Sequence, residues 1–268
     1  MIKADRLLGM RLVRRIVVGV LLFTGTGQAM AEVGRTPGIF DVSSTGAAAY
    51  TIALWTPQGP NGMQPNLALT YDSGGANGVL GVGWTLSGLS SIERCQTSRG
   101  ADAGFTGGYD RFCLNGNKLR LDDPGSAYGA PGTTYRTELH SFAAITAYGG
   151  SAATGPDYFI MVGNDARTYE FGLTADSRVI VGTQVLRWKL NKVSDTAGNA
   201  YLISYSSETG FAVPTAISWT ATAAGQSTYR HLAQFNYSTT RTDALSAKFS
   251  SQTLANNRRL DSIEVKSS

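Results

Sequence analysis

The chain has 268 residues, of which 32 are glycine and 16% are charged, a composition typical of a β-rich extracellular protein rather than a helical cytosolic one. Its formal net charge of +4 comes from the N-terminal stretch, so the remainder is near neutral. A near-neutral domain without a basic stripe lacks the electrostatic footprint of a nucleic-acid-binding protein, and we expect no nucleic-acid partner.

Residues 1–31 have the layout of a secretory signal peptide. An apolar run over residues 16–23 precedes the small-residue ending Ala29-Met30-Ala31, and five basic residues come before the run: Lys3, Arg6, Arg11, Arg14 and Arg15. The apolar run is shorter than the ~20 residues of a membrane span. We expect cleavage after Ala31, secretion to the extracellular space or periplasm, and no membrane span after cleavage; an uncleaved anchor is the alternative.

The chain after the leader predicts an all-β fold. Residues 32–46 form an extended segment with little core of its own, and residues 47–268 form the β domain. Short alternating runs such as "PNLALTY", "QVLRWKLNKV" and "AYLISYS" recur between Gly, Asn, Asp and Pro clusters, and no window keeps helical periodicity for three turns. We therefore expect antiparallel sheets joined by hairpins, in a sandwich-like arrangement or a partial β-shell.

The stretch "GVLGVGWTLSGLSSIERC", residues 78–95, has no nucleotide-binding pattern. It contains no lysine for a phosphate loop, and a leucine stands where a third glycine of G-x-G-x-x-G would fall. Gly81 and Gly83 are better explained as a tight turn beside Trp84, whose indole fills the interior.

Cys95 and Cys113 are the only two cysteines, and a secretory leader favours a disulfide between them. We expect their Cα atoms to lie under about 7 Å apart. Two buried free thiols are the alternative.

The pattern of polar residues favours no catalytic, cofactor or metal site. There is no G-x-S-x-G motif, and His140 and His231 lie in alternating runs without metal-ligand spacing. Asp122 and Asp123 lie in a Gly/Pro-rich loop and are typical of turns.

A hairpin turn is predicted within "RWKLNKVSDTAGNAYLISY", with Asp195, Gly198 and Asn199 supplying the left-handed backbone. Asp195 and Asn199 are also conceivable calcium ligands, but one carboxylate falls far short of a calcium loop.

Several ordered blocks resemble one known family. They include "LGVGWTLSGLSSIERC", "YDRFCLNGNKLRL", "GPDYFIMVGNDARTYEFG" and "WKLNKVSDTAGNAYLISY", and the resemblance to the N-terminal domain of the Salmonella virulence plasmid B (SpvB) family runs from about residue 37 to the C-terminus. The residues that we assign to its fold signature are Gly78, Gly81, Gly83, Trp84, Gly88, Arg94, Arg111 and Phe112.

This resemblance implies a non-enzymatic structural module of a secreted bacterial toxin or Rhs-type protein. Similar domains open the B subunits of insecticidal Tc toxins, so the implied partners are propeller and Rhs-repeat domains or other toxin components. The E-x-E motif of the namesake's ADP-ribosyltransferase domain is not present in this sequence. The alternative is an extracellular surface or glycan-binding module that uses Tyr109, Tyr128 and Tyr148.

The C-terminal run "RRLDSIEVKSS" predicts a strand with one apolar face, formed by Ile263 and Val265. Leu260 has the opposite parity, so the strand begins after it or carries a bulge there. The resemblance suggests a module truncated at this end, and we expect an open sheet edge through which the chain self-associates.

Overall fold

The computed structural model describes residues 37–96, 110–151, 154–208, 210–221, 228–239, 241–244, 246–249 and 252–268. The predicted signal peptide, residues 32–36 of the extended segment and Tyr109 lie outside these ranges, whereas residues 37–46 lie within them and include the first strand. All described residues belong to one compact unit, Thr36–Ser268. Within it the fold is all-β and antiparallel, as predicted, with two short 3-10 turns, Pro60–Gly62 and Ala175–Ser177. None of the described segments is a helix long and apolar enough to cross a membrane.

A small sheet is formed by the first part of the described chain. Its strand order is β1-β2-β3-β6, with bounds β1 Ile39–Val42, β2 Ala48–Leu54, β3 Leu67–Asp72 and β6 Trp84–Ser87. A short hairpin precedes β6. Its two strands have two residues each, β4 Asn77–Gly78 and β5 Gly81–Val82. The signature stretch therefore begins as a hairpin and continues into the last strand of this sheet.

Eight strands close into a barrel. They are β7 Ser91–Gln96, β8 Asp110–Leu114, β9 Asn117–Leu121, β10 Thr134–Thr137, β11 Ala144–Tyr148, β12 Tyr158–Val162, β13 Thr168–Phe171 and β15 Gln184–Ser194. Each pairs with the next, and β15 closes the ring because it pairs with β7 near its start and with β13 along its second half. Closure leaves these strands without an open edge.

β15 also joins the barrel to a further sheet. The order continues β15-β16-β17-β18-β21, with β16 Ala200–Glu208, β17 Phe211–Ala221, β18 Tyr229–Ser238 and β21 Arg259–Ser267. The remaining strands are β14 Arg178–Val181, which pairs with the first half of β15, and the separate pair β19 Ser246–Phe249 and β20 Gln252–Ala255.

One hydrophobic core runs through the barrel and the further sheet. Two fully buried tryptophans mark its two parts, Trp188 in the barrel and Trp219 on β17. Each indole N–H donates to a proline carbonyl, Trp188 to Pro156 at 3.0 Å and Trp219 to Pro57 at 2.9 Å. Both large side chains are thus buried with their single polar group satisfied.

The predicted irregularity at Leu260 is a β-bulge. Asn236 pairs with Ser262 and Tyr237 pairs with Leu260, so Asp261 is the extra residue. Because of the extra residue, the Leu260 side chain lies on the same side of the strand as Ile263 and Val265. Leu260 therefore packs in the core with them. Among the described strands, β21 pairs only with β18 and stands at the end of the sheet order.

Candidate functional site

The signature glycines allow close backbone approach. Gly83 has φ +78°, and a Cβ there would lie 2.6 Å from the backbone oxygen of Asp72 and from the Tyr71 ring. Gly88 has φ +96°, and its Cβ would lie 2.0 Å from the Asn66 oxygen. Both positions therefore require glycine to seat β6 against β3.

The hairpin of the signature stretch is held by Arg241, which the sequence analysis did not single out. The Arg241 side chain is only 4% exposed. It donates to the Gly78 carbonyl at 2.8 Å, to the Asn77 side chain at 2.9 Å and to the Asp243 carboxylate at 2.8 Å. The hydrogen bonds from Arg241 and Asn77 hold the pKa of Asp243 far below its usual range.

The structure joins Cys95 on β7 and Cys113 on β8 in a disulfide with a Cα–Cα distance of 5.9 Å. The two residues are diagonal neighbours, since Cys95 pairs with Arg111 and Cys113 with Glu93. The bond links the ends of a long connection, residues 97–109, that lies outside the described residues.

The barrel interior is filled by aromatic side chains. Phe112 lies 5.2 Å from Phe159 and 5.3 Å from Trp188 in edge-to-face contacts, and Phe159 lies 5.0 Å from Trp188. The Tyr135 ring adds an edge contact to Phe112 at 6.0 Å. Burial raises the pKa of the Tyr135 hydroxyl. These contacts make the interior a packed core rather than a ligand chamber.

Arg94 caps one part of this aromatic cluster. Its guanidinium carbon lies 5.7 Å from the Phe112 ring centre and 5.8 Å from that of Trp188. It also donates to the carbonyls of Val185 and Thr154, each at 2.8 Å. The arginine is thus satisfied by backbone and aromatic partners within the barrel, which favours a structural role.

The ladder between β8 and β9 is short, and we call the place where it stops the seam. Their ladder stops after Cys113–Lys118 and Leu114–Asn117, and the next two backbone groups are bridged by a phenol instead. The Phe112 N–H donates to the Tyr128 hydroxyl at 2.7 Å, and that hydroxyl donates to the Leu119 carbonyl at 3.0 Å. Tyr128 therefore replaces a missing rung of the ladder.

A cavity of about 480 Å³ adjoins this seam, and its lining residues are Arg111, Lys118, Leu119, Arg120, Leu121, Pro124, Tyr128 and Glu138. The Tyr128 ring stacks on Phe112 at 5.2 Å between ring centres, and the Arg111 guanidinium carbon lies 4.7 Å from the Tyr128 ring centre. Two fold-signature residues thus contact the tyrosine of this seam.

Lys189 on β15 is a cationic side chain of the barrel with a lowered pKa. It alternates along β15 with the inward-facing Trp188 and Leu190, next to the Arg187–Glu93 ion pair, whose atoms lie 2.7 Å apart. Burial and, to a smaller extent, the Arg187 charge lower the pKa of Lys189 to about 8.

The predicted hairpin turn lies between β15 and β16. The Asp195 carboxylate accepts from the Ala197 N–H at 3.0 Å and from the Asn199 N–H at 2.9 Å, and Gly198 has φ +84°. These hydrogen bonds, led by the one from the Asn199 side chain, lower the pKa of Asp195. The carboxylate is engaged in capping its own turn.

The two histidines lie apart. His140 stacks edge-on against the exposed Phe142 at 4.4 Å, and His231 Nδ1 lies 2.9 Å from the Ser267 hydroxyl across the β18–β21 pair. Among the described residues, no group of three or more His, Cys, Asp or Glu could hold a metal ion.

The two proposed glycan-binding tyrosines that the structure describes each have other side-chain partners. Tyr128 contacts Phe112 and Arg111, and Tyr148 stacks on Tyr158 at 5.1 Å, with an interplanar angle of 7°. Tyr109 lies outside the described residues.

The small sheet has two unlike faces, because directly paired residues share a face. Across its four strands runs an aromatic row, Phe40–Tyr50–Tyr71–Trp84. Trp84 is only partly buried and lies outside the core cluster, so the prediction that its indole fills the interior is wrong. We call the aromatic face the set Phe40, Val42, Tyr50, Ile52, Leu69, Tyr71 and Trp84. The opposite face carries Thr51, Thr70 and Thr85, with Thr70 and Thr85 hydroxyls 2.7 Å apart.

Fold and sites together define an all-β domain built on a side-chain-filled barrel. The family described as Salmonella virulence plasmid 65kDa B protein (SpvB) matches residues 42–261. The chain belongs to this family.

Solved structures share the fold. The crystal structure of TcdB2-TccC3 matches with a TM-score of 0.69 and 17% identity, over 86% of this chain and 14% of that one. The Photorhabdus luminescens Tc holotoxin pore matches with a TM-score of 0.66 and 17% identity, over 86% of this chain and 13% of that one. The N-terminal domain of the effector SpvB from Salmonella typhimurium strain LT2 matches with a TM-score of 0.65 and 19% identity, over 80% of this chain and 86% of that one. No curated protein sequence matches the chain.

Proposed function

We propose that the chain is a non-catalytic structural module of a secreted bacterial toxin or Rhs-type protein, which docks onto neighbouring domains or forms part of a β-shell. The observation that carries this proposal is the packed barrel interior, where Phe112, Phe159 and Trp188 occupy the space that a ligand would need. A closed, filled barrel is a rigid scaffold, and its uses lie on its outer surface.

The family supports the same proposal. The structures of TcdB2-TccC3 contain this fold as a small part of a longer chain, since the present chain spans 14% of it. We therefore propose that the partners are other toxin components, or propeller and Rhs-repeat domains. The glycan-binding alternative has less support, because the Tyr128 ring already contacts Phe112 and Arg111 and the Tyr148 ring already stacks on Tyr158.

The size of the exported natural product tests this proposal. An antibody raised against the chain is used to recover the exported material, whose mass and peptide content are then measured. We expect this domain within a polypeptide or complex far larger than 28.4 kDa. Recovery of a free species no larger than the chain would overturn the proposal.

Export is a separate part of the proposal and has a separate measurement. N-terminal sequencing of the exported product should return Glu32, the residue after the predicted cleavage site. An exported product that begins at Met1 would contradict cleavage after Ala31.

Self-association through β21 is proposed for the isolated chain. Along this strand Ile263 and Val265 pack on the core while only β18 pairs with it among the described strands. An edge of this kind can pair with a second copy. Sedimentation across a concentration series should show growing association, and a monomer at every concentration would contradict it.

A further inference from the structure

We propose that the aromatic face of the small sheet is a docking surface for an apolar surface on another domain of the same polypeptide. The inference rests on the proposed function, because it names the surface through which the module docks. It is carried by the pairing register of β1, β2, β3 and β6 and by the exposure of the side chains on one side of them.

The aromatic face is incompletely covered. Phe40 is 67% exposed and Val42 is 56% exposed, although both lie beside other apolar side chains. On the same side of the sheet, Leu67 is part of the core, and Leu54 and Leu86 pack against it. The core thus covers one end of this side and leaves the end with the aromatic row outside the core cluster.

Part of the apolar side of this sheet faces water, because the core covers only its other end. Antiparallel sheets place their polar side toward solvent. The threonine side carries polar groups beside Ile39, which is 73% exposed on β1, whereas the aromatic face has Tyr71 and Trp84 packed together at 5.3 Å and no charged residue. A contiguous apolar patch of this kind marks an interaction site.

The chemistry of the aromatic face selects its partner. Its only polar side-chain atoms are the hydroxyls of Tyr50 and Tyr71 and the indole nitrogen of Trp84. The aromatic face therefore cannot form ion pairs with a charged surface. It also offers few hydrogen bonds to a glycan, whose recognition needs polar groups in fixed positions. Burial of apolar area is what it can offer, so the partner surface is apolar.

The size of the aromatic face indicates a tethered partner. Four strands about 4.8 Å apart, over about five residues of about 3.4 Å, cover roughly 300 Å². A stable complex between separate proteins buries about 800 Å² on each partner. A smaller contact becomes effective when both surfaces belong to one polypeptide, because the tether raises the effective concentration. In TcdB2-TccC3 the matched region is 14% of a longer chain, which is the arrangement that such a tether needs.

Hydroxyl-radical footprinting tests the proposal. The exported polypeptide, recovered by antibody, is compared with the purified 268-residue chain. We expect oxidation of Phe40, Tyr71 and Trp84 to fall by at least about fivefold in the exported polypeptide, because docking removes them from water. Leu139 and Phe142, which are 76% and 73% exposed outside the small sheet, serve as internal controls and should be oxidised equally in both.

A double variant, Phe40→Ser with Val42→Ser, supplies the second measurement. In the 268-residue chain it should shift the melting temperature by less than about 3 °C, because both side chains are already exposed. In the exported polypeptide it should restore oxidation of Trp84 to the level of the isolated chain. The matched control is Ile180→Ser, which changes an apolar side chain 44% exposed on β14 and should leave Trp84 protected.

Three results would overturn the inference. Equal oxidation of the aromatic face in a large exported polypeptide would refute it while leaving the proposed function standing. A dimer of the isolated chain that the double variant abolishes would assign the surface to a second copy. An exported product no larger than the chain would refute both the proposed function and the tethered partner.

Discussion

The barrel and the small sheet bury their aromatic side chains in opposite ways. In the barrel, Phe112, Phe159 and Trp188 meet edge-to-face in a closed ring of strands and are at most 3% exposed. In the small sheet, four aromatic residues stand in one row across an open sheet, and Phe40 at its edge is 67% exposed. The difference shows that aromatic content alone does not decide whether a β-sheet completes its own core. We propose that the barrel serves as a scaffold and that a neighbouring domain covers the small sheet.

Loss of the central barrel tryptophan should have the largest effect. Trp188→Ala removes a fully buried indole together with its hydrogen bond to Pro156, and should lower the free energy of unfolding by about 3–5 kcal/mol. Urea denaturation measures the loss. The matched variant Trp55→Ala, at a residue 76% exposed beside the small sheet, should cost less than about 0.5 kcal/mol. Equal losses would break the contrast between the two regions.

The disulfide should come next in size. Replacing Cys95 and Cys113 by serine frees a connection that spans 18 residues of sequence separation, at a cost of about 3 kcal/mol. The double variant and the untreated chain are compared by urea denaturation, and free thiols are counted in the unfolded chain. Two titratable thiols in the exported protein would show that the bond does not form there.

Lys189 should make barrel stability depend on pH. Its pKa in the folded chain is about 8, below the unfolded value near 10.4, so the unfolded chain binds more protons between these values and stability rises with pH in that window. Lys189→Met should therefore stabilise the chain at pH 7 by about 1–3 kcal/mol, with the gain shrinking as the pH rises from 8 to 10.4. A gain that does not vary with pH would show that packing, not charge burial, causes it.

The seam phenol should have the smallest effect of the four. Tyr128→Phe keeps the ring against Phe112 but leaves the Phe112 N–H and the Leu119 carbonyl without their bridge, at a cost of about 1–2 kcal/mol. Thermal unfolding compares it with Tyr148→Phe, a partly exposed tyrosine outside the seam. If both variants melt at the same temperature as the parent chain, the hydroxyl does not hold the seam.

Local patterns made part of this fold predictable. A few neighbouring residues determine the alternation of Ile263 and Val265, the break in it at Leu260 and the turn at Asp195. The bulge at Asp261 lies where that break required one. The same period-two pattern places Tyr50 beside Ile52 and Leu69 beside Tyr71, a signal of the aromatic face that the sequence analysis passed over.

Long-range pairing made the rest unpredictable. Barrel closure depends on β15 meeting both β7 and β13, with Asn191 as an extra residue between the pairs Phe171–Leu190 and Glu170–Lys192. Arg241 reaches Asn77 across 164 residues of sequence, and no local pattern marks it. Tyr128 looked like an exposed loop aromatic because its ladder role arises only where β8 and β9 separate.

Hydrogen exchange of the isolated chain compares the barrel and the small sheet in one molecule. We expect amides of β11 and β12, inside the closed barrel, to exchange only through global unfolding, and those of β1 and β2 to exchange at least about a hundredfold faster. Equal protection in the two regions would mean that the small sheet is as complete as the barrel, and would contradict a module that needs a neighbour.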